Sequence, residues 1–599
     1  METVVEQVQA SPAAPAGPAH IRGLLKRWKL QGTAVGAVGQ PLVARVLAAR
    51  GLIDPGQAAL FLEPSLKHLH NPSLMPNVDA AAERILRAAK SMEPLVIYGD
   101  YDVDGITATA ILYHTIKSIA PEAQVSSYVP HRLEEGYGLN TEAIRELASQ
   151  GAKVIISVDC GVTAVEPAAA ARAAGVDLIV TDHHNLPHGP LPDAFAIIHP
   201  RLPGSQYPCG DLCGAGVAFK LAWRLCTLAC GSERVTEALR ALLLELLAFA
   251  SLGVIADIVP LVGENRVIAH AGLRRIKHSK IEGLRALVEA SGLAGDNVGE
   301  EDVGFRMGPR LNACGRMDHA REAVELLTTA TGPRAIEIAE QLTRLNDQRR
   351  AIEQSIFKHA CELAEAAGMT AIDKRAIVLA HPDWHAGVVG IVCSRLVERY
   401  GRPAILMCEH DGVCHGSGRS IAGFSLHAGL DSCSSLLTSF GGHDMAAGMK
   451  LPSDRLAAFT GAFIAHANSS IEPQSLTPAI SFDTDADLDE LTVPVVQQLA
   501  RLSPFGQGNP PVRLRLPAVR IAMRPQTMGN GNKHVALQVA STNPKARGRL
   551  LRLVGWGWAE RMEHLPVGRV IDALVSPQIS EWNGNVKIEA KLLDISGAE

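Results

Sequence analysis

Gly99-Asp100-Tyr101-Asp102-Val103-Asp104-Gly105 follows directly on Leu95-Val96-Ile97-Tyr98. The apolar run reads as a buried strand, and the glycines that bracket the acids let the backbone turn sharply after it. Three carboxylates at alternate positions repel one another and lose hydration at a strand end, unless a cation sits among them. Taken alone, the run also reads as a solvated acidic loop. Its surroundings decide between the two.

Working outward, strands and helices alternate. A helix is expected over Ile106–Ile119, a strand over Val154-Ile155-Ile156-Ser157-Val158 and an Ala-rich helix over Ala164–Ala174. Strands follow at Leu178-Ile179-Val180 and Phe195-Ala196-Ile197-Ile198. Continuous apolar strands between helices imply a parallel sheet covered on both faces, with ligands gathered beyond the C-terminal strand ends. Those ends carry chemistry. The second strand runs into Asp159-Cys160-Gly161, the third into Asp182-His183-His184, and an apolar helix ends at Asp257. A strand-end Asp is often only a helix cap and a lone His only a packed core residue. Their convergence on one sheet edge makes that reading improbable. Several carboxylates with one or two imidazoles suit a pair of divalent cations, magnesium or manganese, and such a pair serves hydrolysis of a phosphoryl ester or anhydride.

The 599 residues exceed what one core holds, and about three to five domains are expected. We expect a disordered, Ala/Pro-rich stretch over 1–20, helices over 21–90, the catalytic α/β domain over 91–270 and a helical connector over 271–370. A second α/β domain is expected over 371–470, then a linker and a small β-barrel over 471–599. Apolar residues make up 47% and charged residues 20%, an ordinary globular balance. No apolar run approaches the roughly 18 residues of a membrane span. The richest, Ala241–Ala250, is interrupted by Glu245 and reads as a buried helix. The N-terminus lacks the basic and apolar regions of a secretory signal. Eleven scattered cysteines, without a CxxC pair, read as free thiols of a reducing cytoplasm; Cys209/Cys213 and Cys226/Cys230 lack partners for a zinc site. Asp483, Asp485, Asp487 and Asp489 alternate like a calcium loop. Leu488 and Pro494 stand where its glycine and glutamate belong, so an acidic linker or edge strand is expected.

The net charge of −5 hides a local asymmetry. Between 501 and 552 stand Arg501, Arg513, Arg515, Arg520, Arg524, Lys533, Lys545, Arg547, Arg549 and Arg552, with no acid. A basic stripe on a β-barrel is a footprint for single-stranded nucleic acid, with Phe505, Trp556 and Trp558 as the few aromatics able to stack bases. The plainer reading is a solvated basic face.

On these motifs the chain resembles the DHH phosphoesterase superfamily, for which Asp182-His183-His184 is the signature. Within it, the chain resembles the branch of single-strand-specific 5′→3′ DNA exonucleases. The resemblance implies an α/β fold: a parallel-sheet DHH domain, a long connecting helix, a DHHA1 α/β domain and a C-terminal OB-fold barrel. It implies Asp102, Asp104, Asp159, His183 and Asp257 as ligands of two Mn2+ or Mg2+ ions, with Asp159 bridging. His184 would face the scissile phosphate, and Asp100 would be a ligand or merely structural. Tyr98 stands where the pyrophosphatase branch has a histidine. Further matches are Pro130–Gly138, Pro309–Arg316, Trp384–Val392, Gly416–Ser420 and Gly441-Gly442-His443. They imply Arg132, Arg310, Ser417 and Arg419 as holders of a 5′-terminal phosphate, with Arg316, His385 and His443 also on the substrate. The implied setting is DNA recombination and repair in the cytoplasm, away from membranes, with single-stranded DNA as substrate and a single-strand-binding protein and a helicase as partners. The alternatives are an oligonucleotide or cyclic-dinucleotide phosphodiesterase of the same superfamily, and an inactive DHH-fold scaffold that binds single strands.

Overall fold

The protein's structure, a computed structural model, describes residues 21–32, 40–132, 134–295, 297–543, 548–582 and 585–597. The stretch expected to be disordered, 1–20, and Lys545 and Arg547 of the basic stripe lie outside the described residues. The chain forms two compact units. One comprises Ala59–Leu476 and Leu502–Pro510. The other comprises the described residues up to Ala58, Thr477–Arg501 and those from Pro511 on.

The expectation of helices from residue 21 needs correction. β1 (Ile21–Arg22) and β2 (Arg27–Leu30) come first, and β2 pairs in parallel with β13 (Ala479–Phe482). Trp28 explains why: its side chain is fully buried with Ile480, Phe482 and Leu574, and its indole N–H donates to Asp594 at 2.8 Å. The backbone N–H groups of Leu25 and Lys26 donate to the same carboxylate. The partner strand lies some 450 residues away, so no local pattern announces it.

The catalytic sheet has the order β4-β3-β5-β6-β7, all parallel. Its strands are β3 (Leu95–Tyr98), β4 (Val125–Tyr128), β5 (Val154–Val158), β6 (Asp177–Thr181) and β7 (Ala196–Ile198). Edge strand β4, Val-Ser-Ser-Tyr, escaped the sequence reading because it lacks an apolar run. Helices Val103–Ile119 and Gly214–Cys230 pack together beside the sheet. Among the described residues, Glu237–Ala256 is the helix long and apolar enough to cross a membrane. It is a core helix here, burying Leu246 through Val254 against its neighbours. The 35-residue helix Gly332–Ala366 leads into a mixed sheet of order β11-β12-β10-β9-β8. These strands are β8 (Ile377–Ala380), β9 (Ala404–His410), β10 (Val413–Arg419), β11 (Ser439–Gly442) and β12 (Ala446–Pro452).

In the other unit, β14 (Thr484–Asp485), β15 (Leu514–Ile521), β16 (Gln526–Met528), β17 (His534–Ser541), β18 (Leu550–Gly555), β19 (Val570–Trp582) and β20 (Asn585–Gly597) form one sheet. β15 pairs with both β19 and β17, which closes the sheet into a barrel. The alternating acids resolve into edge strand β14 and ion pairs: Asp483 takes Arg50 at 2.8 Å and Asp485 takes Arg515 at 2.5 Å.

Candidate metal centre

The acidic run leaves β3 and folds over the start of helix Val103–Ile119. A Cβ on Gly105 would lie 2.6 Å from that of Asp100, so the turn needs glycine there. Asp102 caps the helix, its Oδ1 accepting from the N–H groups of Asp104 (2.8 Å) and Gly105 (3.1 Å). Asp104, in the first turn of that helix, accepts from Gly214 N–H (2.6 Å) and Ala215 N–H (2.9 Å) at the start of helix Gly214–Cys230. Asp159 follows β5 with φ 63°, a left-handed conformation unusual for a non-glycine residue and frequent at functional sites. His183 follows β6, and Asp257 closes helix Glu237–Ala256.

These groups meet around His183 Nε2. It lies 3.1 Å from Asp159 Oδ1, 3.6 Å from Asp257 Oδ2 and 3.8 Å from Asp104 Oδ2. On the other side, Asp100, Asp102 and Asp159 bring carboxylate oxygens within 4.8 Å of one another. Asp159 therefore belongs to both clusters. Asp159 Oδ1, Asp100 Oδ1 and His183 Nε2 are buried, without a hydrogen-bond partner among the described residues. Burial and then mutual repulsion push up the carboxyl groups of Asp100, Asp102, Asp159 and, to about 8, Asp257. Burial pushes His183 down to about 4, which keeps its imidazole neutral. Unpaired buried oxygens, crowded carboxylates and a neutral imidazole are a donor set that fits hard divalent cations.

Asp182 is a different kind of acid. Burial works against its charge, yet hydrogen bonds from His184 Nδ1 (2.8 Å) and from the N–H groups of Val162, His183 and His184 hold it at about 2. It accordingly fixes His184. Burial lowers that imidazole's proton affinity, but Asp182 raises it to about 9. His199 accepts from Arg201 N–H through Nδ1, which leaves Nε2–H to donate to His184 O at 2.8 Å. The Tyr137 hydroxyl donates to Asp159 O at 3.1 Å and reaches the His184 ring. Asp182, Tyr137 and His199 were absent from the expected site residues. Tyr137 carried no signal beyond its place in a matched motif.

A cationic group lies beside the acids. Arg132 stacks on Tyr101, its guanidinium carbon 4.7 Å from the ring centroid. Arg316 donates to Gly387 O at 3.1 Å. Burial and then the charges of Arg132, Arg349 and Arg419 push Arg316 down to about 9. Arg419 donates to Ser417 Oγ at 3.2 Å. Arg349, from the long helix, was not anticipated, and its buried Nε has no partner among the described residues. Arg310 is tied to Thr343 Oγ1 (3.1 Å) and Arg306 O (2.6 Å), among Asp347, Arg306 and Arg350 rather than this group. His385 caps helix Ala386–Tyr400, its Nδ1 accepting from Gly387 N–H at 3.1 Å. His443 is exposed and lines an open cavity of about 530 Å3 with Tyr137, Asp182 and His184.

Three family models match along the chain: the DHH family N-terminal domain over residues 94–251, the DHHA1 domain over 373–469 and the RecJ OB domain over 482–594. The single-stranded-DNA-specific exonuclease RecJ of Bacillus subtilis is 38% identical over 562 residues, covering 93% of this chain and 68% of that protein. The chain belongs to the RecJ family. RecJ of Escherichia coli is 36% identical, covering 78% of this chain and 82% of its own. The crystal structure of Thermus thermophilus RecJ in complex with Mn2+ superposes with a TM-score of 0.77 at 29% identity, covering 93% of this chain and 76% of that one. A second Thermus thermophilus RecJ structure is in complex with Mg2+ and superposes with a TM-score of 0.72. The α/β architecture with DHH, DHHA1 and OB-fold domains is therefore that of RecJ.

Proposed function

We propose that this chain is a metal-dependent exonuclease that degrades single-stranded DNA from its 5′ end and releases 5′-mononucleotides. The observation that carries the reading is the two overlapping donor clusters sharing Asp159, beside the Arg132/Arg316/Arg419 group. Membership of the RecJ family supports it. Asp102, Asp104, Asp159, His183 and Asp257 would hold two Mn2+ or Mg2+ ions, with Asp159 common to both and Asp100 within reach. When bound, such ions supply Lewis acidity to the phosphodiester and to the attacking water.

The chain's own residues position the substrate. Arg132, Arg316 and Arg419, with Ser417, take the 5′-terminal phosphate, and guanidinium forks suit its oxygens. His184, kept protonated by Asp182, donates a hydrogen bond to the scissile phosphate. Hydrolysis breaks the P–O3′ bond, so the first nucleotide leaves with its 5′-phosphate. The shortened strand keeps a new 5′-phosphate for the same arginines, which makes the cycle repeatable. The setting is cytoplasmic DNA recombination and repair, where a helicase opens duplex and a single-strand-binding protein covers the product.

The test uses 5′-labelled single- and double-stranded DNA with Mn2+ or Mg2+. Labelled mononucleotide from single strands is expected, with loss of activity on chelation and in Asp159→Ala. Equal cleavage of duplex, or activity indifferent to chelator and to Asp159→Ala, would falsify the assignment.

A further inference from the structure

Leu502–Pro510 belongs to the catalytic unit, although the chain on both sides of it belongs to the barrel unit. The segment is heavily held. Arg266, almost wholly buried, donates to Leu502 O (2.8 Å), Ser503 O (2.9 Å) and Phe61 O (2.8 Å). Glu300 accepts from Phe505 N–H at 2.8 Å. Asn509 closes the loop on itself, its Nδ2 donating to Leu502 O and Pro504 O, both at 2.8 Å.

What the loop grips is the stretch just after Asp257. Leu261 N–H donates to Gln507 O at 2.8 Å. A Cβ on Gly506 would lie 2.8 Å from Leu261 Cδ1, and one on Gly508 would lie 3.2 Å from Pro260 Cβ. Between the grip and the acid stands Ile258, with φ 58° and 68% exposed. A β-branched residue takes a left-handed conformation only where its surroundings impose it, and burial of its own side chain does not. Ile258 stands directly after the helix's C-cap, Asp257, and the contacts of Leu502–Pro510 on Pro260 and Leu261 begin two residues further on.

We infer that Leu502–Pro510 is a clamp that positions Asp257 in the metal centre, with Asn509 as its positioning residue. The inference rests on Asp257 being a metal ligand, as proposed above. Supporting residues of this kind commonly change metal affinity by about 10- to 100-fold. It follows that metal occupancy at one side of the centre depends on chain that is continuous with the barrel unit.

The test measures Mn2+ binding to the full chain without DNA, by electron paramagnetic resonance of free Mn2+, for the parent, Asn509→Ala, Gly508→Ala, Asp257→Asn and the Asp257→Asn/Asn509→Ala pair. Gly508→Ala presses on Pro260 directly and serves if Asn509→Ala fails to fold. Each clamp variant is expected to weaken one of two Mn2+ ions by about 10-fold and leave the other. The pair is expected to lose no more than Asp257→Asn alone. Unchanged Mn2+ binding in folded clamp variants overturns the clamp while leaving the ligand assignment intact, as does an additive pair. Unchanged binding in Asp257→Asn overturns the ligand assignment and the clamp with it.

Discussion

His184 has its proton fixed by a neighbour, and this gives the site an asymmetry that the motif letters do not express. Asp182 accepts four hydrogen bonds, two of them from His184, and stays ionised at about 2, while the adjacent His183 is neutral and has no hydrogen-bond partner at Nε2 among the described residues. Adjacent imidazoles thus take opposite roles, one a donor to cations and one a cation itself. Asp182→Asn keeps the shape and removes the charge. Exonuclease turnover is expected to fall by about 100-fold in this variant, with Mn2+ binding retained, and steady-state kinetics beside metal titration check it. Arg316 offers a second residue-scale test. Its guanidinium is crowded by Arg132, Arg349 and Arg419, an arrangement that an anion relieves. Arg316→Ala is expected to weaken a 5′-phosphorylated strand by roughly 10- to 100-fold, and a 5′-hydroxyl strand far less, in binding titrations of both.

Among the elements, the helix Val103–Ile119 carries a stability that depends on pH. His114 sits in its buried stretch, donating Nε2–H to Leu327 O at 2.8 Å and stacking on Phe249. Burial lowers its proton affinity below 6.5. The native state therefore refuses a proton that the unfolded chain accepts. The stabilisation is complete above pH 6.5 and declines as the pH falls below that value. Melting temperatures of the parent protein are expected to fall more steeply between about pH 6.5 and 5 than those of His114→Gln. Strand β2 supplies the other elemental test. Trp28 is the centre of the small core between β2 and β13, so Trp28→Ala is expected to destabilise the barrel unit by about 3–5 kcal/mol in urea melts. Strands β3, β5 and β6 were legible because each is a continuous apolar run, and their parallel pairing placed Asp102, Asp159 and His183 on one edge. Strand β2 was not, because its reason to be a strand is a partner at the far end of the chain.

For the whole molecule, the acid-free stretch 501–552 is less basic in space than in sequence. Arg515 pairs with Asp485 and Asp572, and Arg552 with Glu589. Arg513 takes its carboxylate contact through its backbone N–H, on Asp483. Arg520, Arg524 and Lys533 are exposed and make no ion pair among the described residues. Of the three aromatics, Trp558 is buried and Phe505 belongs to the clamp, which leaves Trp556, 54% exposed and edge-on to His534. Arg524→Ala and Lys533→Ala are each expected to lower the salt slope of binding to long single strands by about 0.7, whereas Arg515→Ala shows itself in stability, as salt titrations and melts distinguish. Cutting the chain after residue 470 removes Leu502–Pro510 together with the barrel, so it cannot report on the barrel alone. The α/β class, the strand-end acids and the likeness to a phosphoesterase family are readable from the residues alone, because apolar periodicity and motif spacing are local. Long-range packing set the rest: Asp159 takes a left-handed backbone, Arg316 and Arg349 join Arg419, and arginines of the stripe meet acids from outside it. Those outcomes depend on long-range packing and on which charges burial brings together, and neither is written in the spacing of neighbouring residues.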